Sequence, residues 1–318
     1  MNRLVLVTGG AGFIGSHLVD RLIKDGYRVR VVDNFSTGRL ENLKHLEDNP
    51  NLEVMRGDLK NEQDAREAVK GADAVFHFAA NPEVRVSSIS PRVHFEENVV
   101  ATFNLLEAMR EYKVKEMVFA SSSSVYGEPE EIPVDENAPV RPVSVYGASK
   151  AACENLIHAY SKLYGIRAVI LRYANIIGPR LRHGVIYDLL MKLKKNLDEL
   201  EVLGDGTQVR SYLYVDDAVE ATIIAWRLSN GNYEVYNVGN EDWVTVNDVM
   251  NIILNELGLS NVKIVHRPVL HGVGWLGDVK RIALKIDRLK TLGFKPSTLS
   301  RGAISMTVKA LVRELGFV

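Results

Sequence analysis

Apolar residues along the first half of the chain fall into two alternating rhythms. Short, nearly continuous apolar runs rich in β-branched residues occur at 4–7, 29–32, 52–55, 74–78, 117–120 and 168–173. Such runs are expected of parallel strands covered on both faces. Between them lie stretches with helical spacing at 13–25, 61–70, 97–112 and 146–164; in the second, Ala65, Ala68 and Val69 share one face. Strand–helix alternation of this kind predicts an α/β fold built on a doubly wound parallel sheet, with right-handed crossovers that put helices on both faces. After about residue 180 the rhythm changes. Helical patterns at 184–195, 215–229, 246–257 and 299–315 are separated by irregular stretches at 203–207 and 271–278. They predict a smaller, mainly helical C-terminal part that covers the ligand edge of the sheet.

Composition narrows the class of protein. The 318 residues are 46% hydrophobic and 25% charged, and 39 basic side chains oppose 40 acidic ones for a net charge of -1. That balance speaks against nucleic acid or an anionic membrane as partner, while leaving room for a local basic pocket. The single cysteine, Cys153, permits neither an intramolecular disulfide nor a cysteine-based zinc site. His45, His77, His94 and His158 show no ligand spacing, so no metal is expected. No secretory signal pattern opens the sequence, and the uncharged stretch 4–19 holds too many glycines and polar residues to span a membrane. A cytoplasmic location is expected.

The first strand runs into Thr8-Gly-Gly-Ala-Gly-Phe-Ile-Gly15, which reads both as Gly10-x-Gly12-x-x-Gly15 and as Gly9-x-x-Gly12-x-x-Gly15. Glycines here let the backbone approach a pyrophosphate, and the helix that follows offers its N-terminal N–H groups to it. Asp33 closes the next strand 18 residues after Gly15. A carboxylate there accepts from the adenosine ribose hydroxyls and repels a 2′-phosphate, so NAD is favoured, with Arg39 nearby as the one feature that suits NADP. Asp58 ends a further strand, where it can meet the adenine or serve as a loop cap. The fold expected is therefore Rossmann-type: an NAD-binding domain over 1–180, to which a segment near 210–240 returns, and a substrate-binding cap over 181–318.

Tyr146 and Lys150 stand four apart on one helix face. Free tyrosine has a pKa of about 10, and a fixed ammonium nearby would lower it and favour a tyrosinate base. The pair follows the strand that ends in Ala120-Ser-Ser-Ser-Ser124 by about 20 residues. Ligands of open α/β sheets bind at such strand ends, where serine hydroxyls can reach a substrate alcohol.

These residues carry a resemblance. Thr8–Gly15, Asp33-Asn34, His77-Phe-Ala-Ala80, Ser121-Ser-Ser-Ser-Val-Tyr-Gly127, Tyr146-x-x-x-Lys150, Leu171-Arg-Tyr-Ala-Asn175 with Gly178-Pro179, and Arg210-Ser-Tyr-Leu-Tyr-Val-Asp-Asp217 resemble the extended short-chain dehydrogenase/reductase family over nearly the whole chain. They are most similar to its NAD-dependent UDP-glucose (UDP-galactose) 4-epimerases. The resemblance implies reversible C4 inversion of a UDP-hexose through a transient 4-keto sugar, with tightly bound NAD. It implies Ser122, Tyr146 and Lys150 as catalytic residues, with Lys150 also holding the nicotinamide ribose. For the cofactor it implies Gly9, Gly12, Phe13, Ile14, Gly15, Asp33, Asn34, Ser36, Thr37, Gly38, Asp58, Leu59, Phe78, Ala79, Ala80, Asn98, Ala120, Ser121 and Tyr173. For the substrate it implies Asn175, His183, Val185, Arg210 and Asp278, besides Ser122. It also implies a homodimer formed by the helices near 97–112 and 146–164.

The chain departs from the family pattern at several points. Trp275 stands where a second diphosphate-binding arginine is frequent, and Arg182, His183 or Arg281 are the candidates to compensate. Ala174 replaces a bulky aromatic, His183-Gly-Val-Ile-Tyr-Asp188 replaces an asparagine-rich loop, and Ser211 replaces a frequent aspartate. Epimerases acting on UDP-glucuronate or UDP-N-acetylhexosamines therefore stay open. A nucleotide-sugar dehydratase or decarboxylase ranks lower, because the Thr-Asp-Glu of such dehydratases reads Ser122-Ser123-Ser124 here. A non-catalytic NAD-sensing protein would be expected to lack Tyr146 or Lys150, and ranks last.

Overall fold

The structure is a computed structural model that describes residues 3–275 and 277–317. Leu276, within the irregular stretch 271–278, lies outside the described residues. Fourteen strands are described: β1 Leu4–Thr8, β2 Arg28–Asp33, β3 Leu52–Arg56, β4 Ala74–His77, β5 Glu116–Ser122, β6 Arg167–Tyr173, β7 Asn175–Ile177, β8 Glu199–Leu203, β9 Val209–Arg210, β10 Tyr212–Tyr214, β11 Tyr233–Val238, β12 Val244–Thr245, β13 Lys263–Arg267 and β14 Arg281–Ile282. The helices are α1 Phe13–Lys24, α2 Glu62–Val69, α3 Val86–Ile89, α4 Pro91–His94, α5 Ala101–Tyr112, α6 Val145–Tyr164, α7 Val185–Lys195, α8 Val215–Leu228, α9 Val246–Glu256, α10 Asp287–Thr291 and α11 Ser300–Leu315.

Seven parallel strands form the central sheet in the order β11-β6-β5-β4-β1-β2-β3. Alternation along each strand feeds a different core on each face. Val5, Val7, Phe76, Val169 and Leu171 pack on one side with Leu18, Val19 and Leu22 of α1 and Ala218 and Val219 of α8. Leu6, Val75, Ala168 and Ile170 pack on the other with α2, α5 and α6, through residues such as Ala65, Leu105 and Ile157. The chain winds outward from β1 through β2 to β3, then returns to the other side of β1 with β4. That reversal leaves a crevice at the carboxyl ends of β1 and β4.

Three features differ from the sequence reading. The edge strand β3 is only partly covered, because no neighbour protects its outer side. β11, absent from the expected strands, extends the sheet beside β6; its polar residues Glu234 and Asn237 interrupt the apolar run. The C-terminal part is less purely helical than expected: β8 pairs with β13, and β9 joins β12 and β14. These strands are short, and in β8 Glu199 and Glu201 alternate with Leu200 and Val202. A separate core, including Leu189, Leu193, Val202, Val249 and Leu311, holds this part together.

Candidate active site

Gly9 follows β1 with φ +67°, and a Cβ on it would come within 2.7 Å of the Ala79 backbone nitrogen. The loops after β1 and β4 thus touch, as the switch point requires. A Cβ on Gly15 would lie 2.2 Å from the Gly9 carbonyl oxygen, so the turn closes only around glycine. Gly12 starts α1 without a side-chain cap, and the first turn holds no acidic residue. The leading N–H groups are left for an external anion. Asp33 ends β2 almost fully buried; its carboxylate accepts from the Ala11 and Phe35 amides at 3.0 and 2.8 Å. Burial pushes its pKa up, and those two amides pull it back.

A cavity of about 640 Å³ opens over these residues. It begins at Asn34, Ser36, Thr37, Gly38, Asp58 and Leu59 and passes Gly9, Gly12, Phe13, Ile14 and Gly15. Beyond them it meets Phe78, Ala79, Ala80, Ala120 and Ser121, then Ser122, Tyr146, Lys150 and Tyr173, and reaches Asn175, His183 and Val185. The residues present thus fit a dinucleotide: a glycine cradle that a Cβ would fill, an open helix start, and a carboxylate one strand away.

Asn98 is the exception. It lies buried behind the wall, where its side chain accepts from the Asn81 amide at 3.0 Å and donates to Ser149 at 2.8 Å. The expected helix 97–112 begins here as a π-turn, Phe95–Val100, before α5. Asn98 therefore ties the loop after β4 to α6 and does not face the cavity. This wide turn lies beside the site, as such turns frequently do.

Ser144 caps α6 by accepting from the Gly147 amide at 3.1 Å, which sets Tyr146 and Lys150 in its first two turns. β5 extends past 120 to Ser122, paired in register with Tyr173. Lys150 is buried, and its Nζ donates to the Ala120 carbonyl at 2.7 Å, 6.0 Å from the Tyr146 ring centroid. Burial holds the Lys150 pKa down to about 8. Tyr146 corrects the sequence expectation: burial raises its pKa to about 12, and the Ser122 hydroxyl draws it down only in part. The ammonium is spent on a carbonyl rather than aimed at the phenol, so desolvation prevails. No carboxylate stands at positions 123 or 124.

A second cavity, about 130 Å³, adjoins the first through Asn175, Val185 and Tyr212. Arg210 and Asp278 face it, ion-paired at 2.7 Å. Gln208 Oε1 and Trp275 Nε1, in two residues of its wall, are buried without a hydrogen-bond partner among the described residues. The expected compensators for Trp275 are elsewhere. Arg182, paired with Glu314 at 2.8 Å, and His183 line only the larger cavity, and Arg281 is exposed on β14. Arg85 and Lys192 supply the further positive charge instead. Sequence reasoning missed Arg85, and Glu83 with it. They lie in a loop without periodicity, and only the return of β4 to the sheet centre brings that loop to the site.

Residues 5–239 match the model of the NAD dependent epimerase/dehydratase family. A UDP-glucose 4-epimerase of Mycolicibacterium smegmatis is 34% identical over 96% of this chain and 97% of its own. A crystal structure of a UDP-galactose 4-epimerase is 48% identical, covers 98% of this chain and 99% of its own, and superposes with TM-score 0.88. A dTDP-glucose 4,6-dehydratase of Streptomyces venezuelae with bound NAD is 29% identical over 99% of this chain and 98% of its own, with TM-score 0.90.

Proposed function

The chain belongs to the NAD dependent epimerase/dehydratase family, and from that premise we propose that it inverts C4 of a UDP-hexose, interconverting UDP-galactose and UDP-glucose. One observation carries the reading: Ser122, Tyr146 and Lys150 line the same cavity as the Gly9–Gly15 turn and as Asn175, through which it adjoins the smaller cavity, with serines at 123 and 124. The fold alone does not separate epimerase from dehydratase, since both superpose well. The serines do, because loss of water across C5 and C6 needs an acid and a base there.

The Gly9–Gly15 turn and Asp33 would hold NAD, which when bound would supply a hydride acceptor and donor for C4 and, in its oxidised form, a positive charge favouring the Tyr146 phenolate. Tyr146 Oη exchanges the proton of the C4 hydroxyl. Ser122 orients that hydroxyl and draws the Tyr146 pKa down. Lys150 braces the end of β5 through Ala120 and keeps a cation beside Tyr146 below a pH of about 8. Asn175 holds the sugar nucleotide at the junction of the cavities, and Arg210 and Asp278 meet its diphosphate and nucleoside ends.

A second substrate class has its own support. Ala174 lines the larger cavity beside Asn175, and a side chain this small in the wall is compatible with a larger C2 or C6 substituent. Incubation with UDP-galactose, UDP-glucuronate and UDP-N-acetylgalactosamine tests both: conversion of UDP-galactose alone supports the first reading, and conversion of none overturns both.

The division at residue 180, with β11 assigned to the cofactor-binding body, belongs to the same proposal. So does a cytoplasmic homodimer. One buried cysteine suits a reducing compartment, and no helix among the described residues is long and apolar enough to cross a membrane. Phe103 on α5, Leu163 on α6 and Phe95 in the turn before α5 are exposed, an apolar surface that a second copy would cover.

A further inference from the structure

A nucleoside diphosphosugar brings two phosphate charges into the smaller cavity, and Arg210 is poorly placed to meet both. Its Nη1 donates to the Val209 and Lys280 carbonyls, and its Nη2 to Asp278 and the Val279 carbonyl. Both terminal nitrogens are saturated, and only Nε remains. Lys192 turns its Nζ to the Glu201 carbonyl and carboxylate, both at 3.0 Å.

Arg85 differs. Its Nε and Nη2 donate to Glu83 at 2.8 and 2.9 Å, and its Nη1 stands 3.2 Å from Asp188 of α7. Among the described residues those contacts leave hydrogens of Nη1 and Nη2 uncommitted, and the side chain is 34% exposed. The guanidinium carbon sits 5.9 Å from the Trp275 ring centroid, within reach of a cation–π contact. Trp275 supplies no charge, but its ring seats one. Two carboxylates and an indole thus hold a partly free guanidinium in the wall of the smaller cavity.

We propose that Arg85 is a substrate-binding residue that donates to the diphosphate of the nucleotide sugar, seated there by Trp275 and Asp188. The inference rests on the reading of the two cavities as a nucleotide-sugar site. A planar guanidinium pairs well with phosphate oxygens. Arg85 is not assigned to the reacting carbon, so its loss raises KM and leaves kcat nearly intact.

The test uses the full chain and two probes, UDP by calorimetry and uridine by ligand-observed NMR. Arg85→Gln is expected to weaken UDP binding by about 10- to 100-fold, to leave uridine binding unchanged, and to leave the protein folded with its NAD. Arg85→Lys should fall between it and the parent. Arg281→Gln, at an exposed arginine of β14 that lines neither cavity, should leave UDP binding as it was. An unchanged UDP affinity in Arg85→Gln overturns the proposal, and so does an equal loss for uridine, which would make Arg85 a structural brace. If the unmutated protein binds neither probe, the nucleotide-sugar reading falls as well; if it turns over UDP-galactose while Arg85→Gln binds UDP normally, only this inference falls.

Discussion

Tyr146 is the residue on which the chemistry turns, and burial holds it protonated at neutral pH, with a pKa of about 12. Tyr146→Phe removes the proton acceptor and should cut turnover of UDP-galactose by about 10²- to 10⁴-fold. NAD extracted from that variant should match the parent; near-normal activity would refute the assignment. His77 makes a different kind of statement. It is fully buried between Thr8 and Thr102, at 2.7 and 2.9 Å, and burial holds its pKa down to about 3 against 6.5 unfolded. The unfolded chain takes up the proton first as pH falls. The stability contribution is therefore complete above about pH 6.5 and is lost as pH falls toward 3. Melting temperatures between pH 7 and 4 should decline more steeply for the parent than for His77→Asn.

The end of β5 is held in place by the helix beside it. Glu154, one turn beyond Lys150 on α6, accepts from Ser121 and pairs with Arg172 of β6 in a bidentate contact at 3.0 and 2.6 Å. Both partners are buried. Glu154→Ala leaves Arg172 buried without its counter-charge and should cost about 3–5 kcal/mol of stability, measured by denaturant unfolding. Glu154→Leu with Arg172→Met should recover much of that loss, since a well-packed apolar pair avoids desolvation. At the first βα turn, Gly15→Ala drives a methyl group into the Gly9 carbonyl oxygen. It should abolish NAD retention, seen as loss of the cofactor on gel filtration. An unchanged NAD content would show that the turn relaxes without harm to the site.

At the scale of the whole molecule, two parts meet across the ligand crevice: the sheet with a core on each face, and the C-terminal part with its own core. Their side chains share the site, Tyr146 and Lys150 from the first and Val185, Arg210 and Asp278 from the second side. The exposed Phe95, Phe103 and Leu163 predict a dimer of 35.5 kDa chains. Light scattering should report the dimer for the parent and a monomer for Leu163→Glu with Phe103→Glu; a monomeric parent would remove the homodimer from the proposal.

The sequence by itself determined what is periodic or local: six strands of the sheet, the longer helices of both halves but not the short α3, α4 and α10, the Gly9–Gly15 turn, the Asp33 strand end and the Tyr146–Lys150 pair. Each is specified within one or two turns or a single βα unit, where spacing dictates which face a side chain takes. Tertiary structure decided the rest. Asn98 reads as a cofactor contact by position, yet the wide turn at 95–100 points it at Ser149. Burial in the assembled site, and not the Lys150 charge, rules Tyr146. Arg85 carries no local signal; the return of β4 beside β1 and the placement of α7 and Trp275 bring it to the smaller cavity. Solvation and charge depend on which segments close over a residue, and such segments lie far apart along the chain.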